Sequence, residues 1–110
     1  MSEPEHEHAL DADPDFDVTH PSGHLMFRSC RGGYLHSVVL SDAVVATAPD
    51  SLAEAVLLAA EVSHLRAVMQ IRRQITDAGF TPSDELATPA DLHRAEAALQ
   101  EHRLRAADHR

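Results

Sequence analysis

Residues 51–78 read SLAEAVLLAAEVSHLRAVMQIRRQITDA and are followed by Gly79. This stretch decides the fold, because its second half carries an apolar stripe at helical spacing between arginines and glutamines. Ser51 and Glu54 have the spacing of a capping box at a helix start, and a glycine such as Gly79 commonly ends a helix. The sequence therefore predicts one long helix over about 51–78.

The first half of this predicted helix is apolar around nearly its whole circumference. A helix that is apolar all round is normally buried all round. At 1.5 Å per residue the helix is roughly 42 Å long, which exceeds the width of a domain of this size. Its apolar surface therefore needs further cover, either from the C-terminal helix of the same chain or from a second chain, and its length favours a second chain.

Three strands are predicted ahead of the helix. Apolar and polar residues alternate over 16–19. A second strand is predicted over 24–30, with Leu25 and Phe27 on one face, and the turn-forming residues HPSG at 20–23 separate the two stretches. The turn RGG at 31–33 leads into a third strand over 34–41, whose VVL run predicts a central or interfacial position. Behind the long helix, Thr88, Pro89 and Asp91 have the pattern of a second helix start. The fold class predicted is α+β, with a three-stranded antiparallel sheet followed by one long helix and a C-terminal helix.

The charge pattern divides the chain further. Residues 1–17 carry seven acids and no arginine, whereas the remaining residues carry 11 acids and all nine arginines. An acidic stretch poor in aromatic residues cannot bury enough apolar surface to become ordered. We therefore expect a disordered acidic tail over 1–14, a β-β-β-α core over 15–79, and a linker with the C-terminal helix over 80–110.

Several classes of function have no support in the sequence. The formal net charge is −9 and there is no lysine, so phosphate attraction is not expected to dominate. Cys30 is the one cysteine, so no internal disulfide can form. The pattern contains no catalytic constellation, no cofactor motif and no conventional signal peptide or transmembrane span. His20, His24 and His36 could meet across strands, but their spacing does not require a metal. We therefore predict a cytoplasmic protein that is not an enzyme and has no cofactor or metal.

Two sets of residues are candidates for contacts with other molecules. The apolar surface of the long helix and the third strand predicts an interface with a second copy or with a related small protein; its residues are Leu52, Val56, Leu57, Leu58, Val62, Leu65, Met69, Val38 and Leu40. An alternative interpretation is DNA binding through a basic patch on the same helix, formed by Arg66, Arg72 and Arg73. The acidic balance of the chain favours protein association.

The order of these elements is similar to the core of the YbaB/EbfC family of nucleoid-associated proteins. The matching residues are G-x-L-x-F at 23–27, the glycine pair at 32–33, V-x-L at 38–40, and Leu52 leading into an alanine-rich helix. That family has a further helix before its sheet, which contributes to the dimer and to its DNA-facing arms. Here the corresponding region is the acidic stretch, so the resemblance covers about residues 16–70.

The chain also resembles the actinobacterial proteins associated with ESX (type VII) secretion, of the EspD/EspH kind. The matching words are VTHP at 18–21, VVLS at 38–41 and LAEAVL at 52–57, in the same order and with similar gaps behind an acidic leader. This resemblance implies a secretion-associated accessory protein, with secretion-system components as possible partners. The general type VII export signal places an acid four residues after a tyrosine, but Val38 stands four residues after Tyr34. Export is therefore expected only together with a partner.

Overall fold

The computed structural model describes residues 13–107. Three short strands form one sheet: β1 Val18–Thr19, β2 Leu25–Ser29 and β3 Leu35–Leu40. A long helix, α1 Pro49–Asp77, follows the sheet, and a second helix, α2 Pro89–Glu101, follows α1. This arrangement confirms the predicted α+β class. The predicted disordered tail over 1–14 lies almost wholly outside the described residues.

The sheet is antiparallel with the order β1-β2-β3, so β2 is its central strand. Of the two positions predicted for the third strand, the central one is wrong, because β3 pairs with β2 on one side only within the described residues. The interfacial position stays a prediction. Leu25 and Phe27 lie on one face of β2 and are buried, as their alternation predicts. The turn Arg31–Gly33 joins β2 to β3 and contains two glycines with positive φ. β3 is therefore an edge strand, held in place by a tight turn.

Helix α1 begins differently from the prediction. It starts at Pro49, and its N-cap residue Ala48 makes no side-chain capping bond. Ser51 lies inside the helix and is fully buried, so the predicted capping box with Glu54 is wrong. Proline suits the first position of a helix, since its missing N–H would have no partner there. The helix therefore starts two residues earlier than the capping pattern suggested.

The end of α1 agrees with the sequence pattern. Gly79 has φ +90°, and its N–H donates to the Thr76 carbonyl at 3.0 Å. The N–H of Phe80 donates to the Ile75 carbonyl at 3.0 Å. These two bonds form a Schellman motif, which satisfies carbonyls that a helix end would otherwise leave unpaired.

The core lies between one face of the sheet and the two helices. Small residues at helical spacing on α1 let the sheet and α2 approach the helix closely. The buried core residues are Val18, Leu25 and Phe27 from the sheet, Ala55, Ala59, Val62 and Leu65 from α1, and Ala95 and Leu99 from α2. The C-terminal helix of the same chain thus supplies part of the cover that the sequence required for α1.

The start of α2 is as predicted. The Thr88 hydroxyl accepts the Asp91 N–H at 3.3 Å, and the Asp91 carboxylate accepts the Thr88 N–H at 2.7 Å. This reciprocal pair is a complete capping box, and Pro89 occupies the first helical position. Both capping residues lie within one helical turn of each other, so the signal is fully local.

Behind α2 the chain returns to the start of α1. Thr47 and Ala106 form an antiparallel bridge, and the Ala48 N–H donates to the Arg105 carbonyl at 2.8 Å. The buried Ser51 hydroxyl donates to the Arg103 carbonyl at 3.3 Å and accepts the Arg105 N–H at 3.0 Å. We call residues 102–107 the C-terminal strap. It fixes the start of α1 through backbone bonds that a capping side chain does not supply.

Candidate functional site

An apolar groove lies between α1 and the start of β3. Its volume is about 340 Å³, and it is lined by Phe27, Gly33, Tyr34, Leu35, Val56, Leu57, Ala60 and His64. Leu57 is 69 % exposed and Tyr34 is 66 % exposed, so both side chains project at the groove. Large apolar side chains clustered at a groove are typical of a binding surface.

The open edge of β3 borders this groove. Edge strands present unpaired N–H and C=O groups that can pair with another strand, and many proteins block them with charged residues or proline. β3 reads LHSVVL and carries no proline, acid or arginine. Leu35, Val39 and Leu40 on this strand are exposed large apolar residues. We call the groove together with the β3 edge the association surface.

The predicted interface residues occupy three different environments. Leu57 and Leu40 are exposed, and the half-buried members pack against the core from its rim: Leu52, Val56, Leu58 and Val38. Met69 is also half-buried. Val62 and Leu65 are buried in the core of the chain itself. The association surface thus contains Val56 and Leu57 from the groove and Val38 and Leu40 from β3 among the predicted residues, and the sequence pattern missed Tyr34 and Leu35.

The rim of the association surface carries charges of both signs. Arg31 is exposed in the turn before Tyr34, and Glu61 is exposed one helical turn beyond Leu57. Neither side chain takes part in an ion pair within residues 13–107. A surface with one basic and one acidic group can pair with a second copy of itself without like-charge repulsion.

Two of the three arginines proposed for DNA contact are engaged within the chain. Arg66 forms an ion pair with Glu96 of α2 at 3.2 Å, and Arg72 donates to the Ala87 carbonyl at 3.3 Å. Arg73 is exposed. Phosphate binding needs several free cations on one face, so this geometry gives little support to the DNA interpretation.

The histidines of the sheet region do not gather around a metal position. Within residues 13–107 there is no cluster of three or more histidine, cysteine, aspartate or glutamate side chains with metal-binding geometry. His24 instead shares a hydrogen bond with Ser41 at 2.9 Å, and His36 shares one with Ser37. Cys30 is buried at the end of β2.

A chain of hydrogen bonds joins the turn after β1 to the C-terminal strap and to α1. His20 is 1 % exposed, and its Nε2 lies 3.0 Å from Nδ1 of His102. Nε2 of His102 lies 3.3 Å from Oε1 of Glu54. At the other end, Nδ1 of His20 lies 2.9 Å from the Ser22 hydroxyl. We call Ser22, His20, His102 and Glu54 the histidine relay.

The backbone fixes the direction of this relay. The Ser22 N–H donates to Nδ1 of His20 at 3.0 Å, so the hydrogen of a neutral His20 sits on Nε2. That hydrogen is donated to Nδ1 of His102, which places the His102 hydrogen on Nε2, facing the Glu54 carboxylate. A second proton on His20 would have to sit on Nδ1, directly opposite the Ser22 N–H. The relay is therefore built around a neutral His20.

The surroundings of His20 also favour its neutral form. Burial lowers the pKa of His20, and the nearby His102, Arg103 and His24 lower the pKa further. A cation in this position would lose hydration and meet positive charges from the strap and from the turn. The Glu54 carboxylate is the acidic group of the relay, but His102 lies between it and His20.

The free energy of unfolding is expected to decrease as the pH falls below about 6.5, the ordinary pKa of histidine. The unfolded chain takes up the His20 proton first, because the folded state lowers that pKa. The stabilisation is complete above the unfolded pKa and is lost as the pH falls through the folded pKa. Urea denaturation between pH 7.5 and pH 5 measures this slope.

A matched pair of variants assigns the slope to the relay. His20→Gln is expected to flatten the pH dependence, whereas His93→Gln, at an exposed position of α2, is expected to leave the slope unchanged. Equal slopes in the unmodified chain and in His20→Gln would contradict the assignment. No sequence pattern indicated this relay, since His20 and His102 are 82 residues apart.

With the sheet, the helices and these two sites described, the class of protein is an α+β domain with an open strand edge. The chain belongs to a family described as a protein of unknown function (DUF2694), whose model matches residues 9–105. The chain is similar to the uncharacterized proteins Rv0028 and MT0030.1 of Mycobacterium tuberculosis and Mb0029 of Mycobacterium bovis. Each is 53 % identical over 95 residues, covering 86 % of this chain and 94 % of the relative. No solved structure matches the chain.

No helix within residues 13–107 has the length and apolar character needed to span a membrane. Helix α1 has 29 residues, but charged residues interrupt it throughout. Helix α1 packs on the sheet with one apolar face toward the core.

Proposed function

We propose that the chain is a non-enzymatic interaction protein that self-associates through the association surface. The observation that carries this proposal is the exposure of Leu57 and Tyr34 beside the uncharged edge of β3. Leaving such side chains in water forgoes the free energy that their burial would release, about 25 cal/mol for each Å² of apolar surface. A partner that covers them gains that free energy.

The occupant of the surface is a second copy of this chain, related by a twofold axis beside β3. Such an axis would set the two β3 strands edge to edge, which satisfies their open N–H and C=O groups together. The same axis can bring the projecting Leu57 of each copy toward the groove of the other. Arg31 and Glu61, which are exposed on the rim, supply opposite charges for both halves of the contact.

A role as an accessory protein in ESX secretion completes the proposal. Its support is the sequence resemblance at 18–21, 38–41 and 52–57. In that role the dimer would be the form of the protein that binds a secretion component. The dimer can be tested without knowing that component, so the two parts of the proposal can fail separately.

Light scattering at about 50 μM is expected to give twice the chain mass of 12.0 kDa, since a dissociation constant near 1 μM needs only about 8 kcal/mol. Leu57→Asp is expected to give a folded monomer. A carboxylate in the interface would be buried without a partner, which costs several kcal/mol. In the monomer the same side chain stays in water, so the fold is retained.

Val45→Asp is the matched control, because Val45 is 86 % exposed and does not line the groove. This variant is expected to remain a dimer. A monomeric unmodified chain would overturn the proposal, and so would loss of the dimer in both variants. Circular dichroism of each variant shows that the fold is intact.

A further inference from the structure

A second cavity lies near the start of α1, between the turn after β1 and the C-terminal strap. Its volume is about 300 Å³, and it is lined by His20, Pro21, Ser22, Gln100, His102, Arg103 and Leu104. A neighbouring groove of about 380 Å³ shares Ser22, Arg103 and Leu104 with this cavity. The cavity is at the small end of the size range of ligand pockets, so it suits a small molecule.

The charged side chains that line this cavity and the neighbouring groove are basic. Arg103 lines both and Arg105 lines the groove, and no acid of the described residues 13–107 lines either. Asp50 and Glu54 lie close by, but Arg105 pairs with Asp50 at 2.9 Å and His102 faces Glu54 at 3.3 Å. The cavity is therefore a basic recess in a chain whose net charge is −9.

Arg103 has unused hydrogen-bonding capacity. Its Nη1 donates to the Gln100 carbonyl at 2.8 Å and to the His102 carbonyl at 3.2 Å. It forms no ion pair with a carboxylate within residues 13–107. The two backbone bonds hold Nη1 of the guanidinium at the end of α2. Among residues 13–107 the other N–H groups of Arg103 have no acceptor, and they can donate to an oxyanion.

We propose that this cavity binds a small soluble molecule through a phosphate- or sulfate-type oxyanion, with Arg103 as the principal charge and the side-chain amide of Gln100 as a hydrogen-bond donor. The histidine relay forms one wall of the site. An oxyanion beside the relay offsets the positive charges of Arg103 and His24 that act on His20.

The probe is sodium sulfate, because sulfate keeps a constant charge between pH 5 and pH 8, and sodium chloride at equal ionic strength is the reference. Amide resonances of residues 20–24 and 100–104 are followed by NMR during the titration. We expect saturable shifts in these two segments at pH 7.5. Chloride is expected to produce no saturable shift.

Arg103→Gln is expected to weaken sulfate binding about tenfold or more, the usual effect of losing a charge-assisted bond. Arg103→Lys keeps the charge and is expected to lose less affinity than Arg103→Gln. Arg73→Gln, at an exposed position of α1, is expected to bind as the unmodified chain does. Thermal unfolding of each variant shows whether the strap is intact.

Three results would overturn the proposal. The first is a response to chloride equal to that to sulfate, and the second is an equal loss of sulfate affinity in Arg103→Gln and Arg73→Gln. The third is a set of saturable shifts that all lie outside residues 20–24 and 100–104. The site does not involve the association surface. Its outcome is therefore separate from that of the dimer experiment.

Discussion

Gly33→Ala is expected to lower the free energy of unfolding by about 3 kcal/mol. Gly33 has φ +78°, a conformation that strains any residue with a side chain. A Cβ at this position would lie 2.7 Å from the Ser63 carbonyl oxygen and 3.0 Å from Cα of His64. Both atoms belong to the backbone of α1, which cannot move aside as a flexible side chain can. The turn would have to separate from the helix.

Gly23→Ala separates the two causes of this loss. Gly23 has φ +79°, nearly identical to that of Gly33, but a Cβ there would meet nothing within 4 Å. Its expected loss is about 1 kcal/mol, from backbone strain alone. Urea denaturation followed by circular dichroism compares the two variants. Equal losses would contradict the view that close packing of the turn on α1 stabilises the fold.

The turn also connects stability to the proposed function. Gly33 lines the apolar groove, and the residues that follow it, Tyr34 and Leu35, project there. If the turn separates from α1, these side chains change position relative to Leu57. Gly33→Ala is therefore expected to weaken the dimer as well, whereas Gly23→Ala is not.

The features that the sequence predicted correctly depend on short-range patterns. Gly79 ends α1 through bonds that reach back only to Thr76 and Ile75, and the capping box of α2 spans Thr88 to Asp91. Alternation along β2 placed Leu25 and Phe27 on the core face. In each case the residues that determine the structure lie within a few positions of one another, so the sequence pattern contains the whole cause.

The features that the sequence did not predict depend on distant contacts. Ser51 has the spacing of a helix cap, but its hydroxyl bonds to the strap, more than 50 residues further along the chain. Glu54 was expected to complete that cap, and it instead ends the relay that His20 and His102 form. A titratable side chain reveals such a role only when the fold brings its partner near. At the start of α1, bonds to the C-terminal strap replace a side-chain cap, so local spacing predicted the wrong helix start.

The exposure of Leu57 has a similar explanation. The apolar start of α1 indicated burial on every side, but the helix can be covered only where the sheet or α2 reaches it. The sheet and α2 cover the face that carries Ala55, Ala59 and Val62, and Leu57 lies outside that contact. The sequence identified an apolar surface correctly, and the fold determines which part of it is available to a partner.

Phe27→Ala is expected to cost about 3–5 kcal/mol, the usual loss for removing a buried phenylalanine from a core. Phe27 is 2 % exposed on the central strand, where it packs with residues from the sheet and both helices. Alanine removes the ring and leaves a cavity that the paired strands β1 and β3 prevent from closing. Since small domains are stable by only about 5–15 kcal/mol, this variant should be largely destabilised.

Phe80→Ala is the matched control for this truncation. Phe80 is 71 % exposed, and its contribution to the helix end is a backbone bond that alanine also makes. Its expected loss is below about 0.5 kcal/mol, as for most surface substitutions. Urea denaturation of both variants gives the comparison, and similar losses would show that Phe27 is not at the centre of the core.

Because Phe27 also lines the apolar groove, Phe27→Leu, which refills most of the cavity, should recover much of the stability. A Phe27→Leu chain that regains stability but remains monomeric would show that the ring itself shapes the association surface.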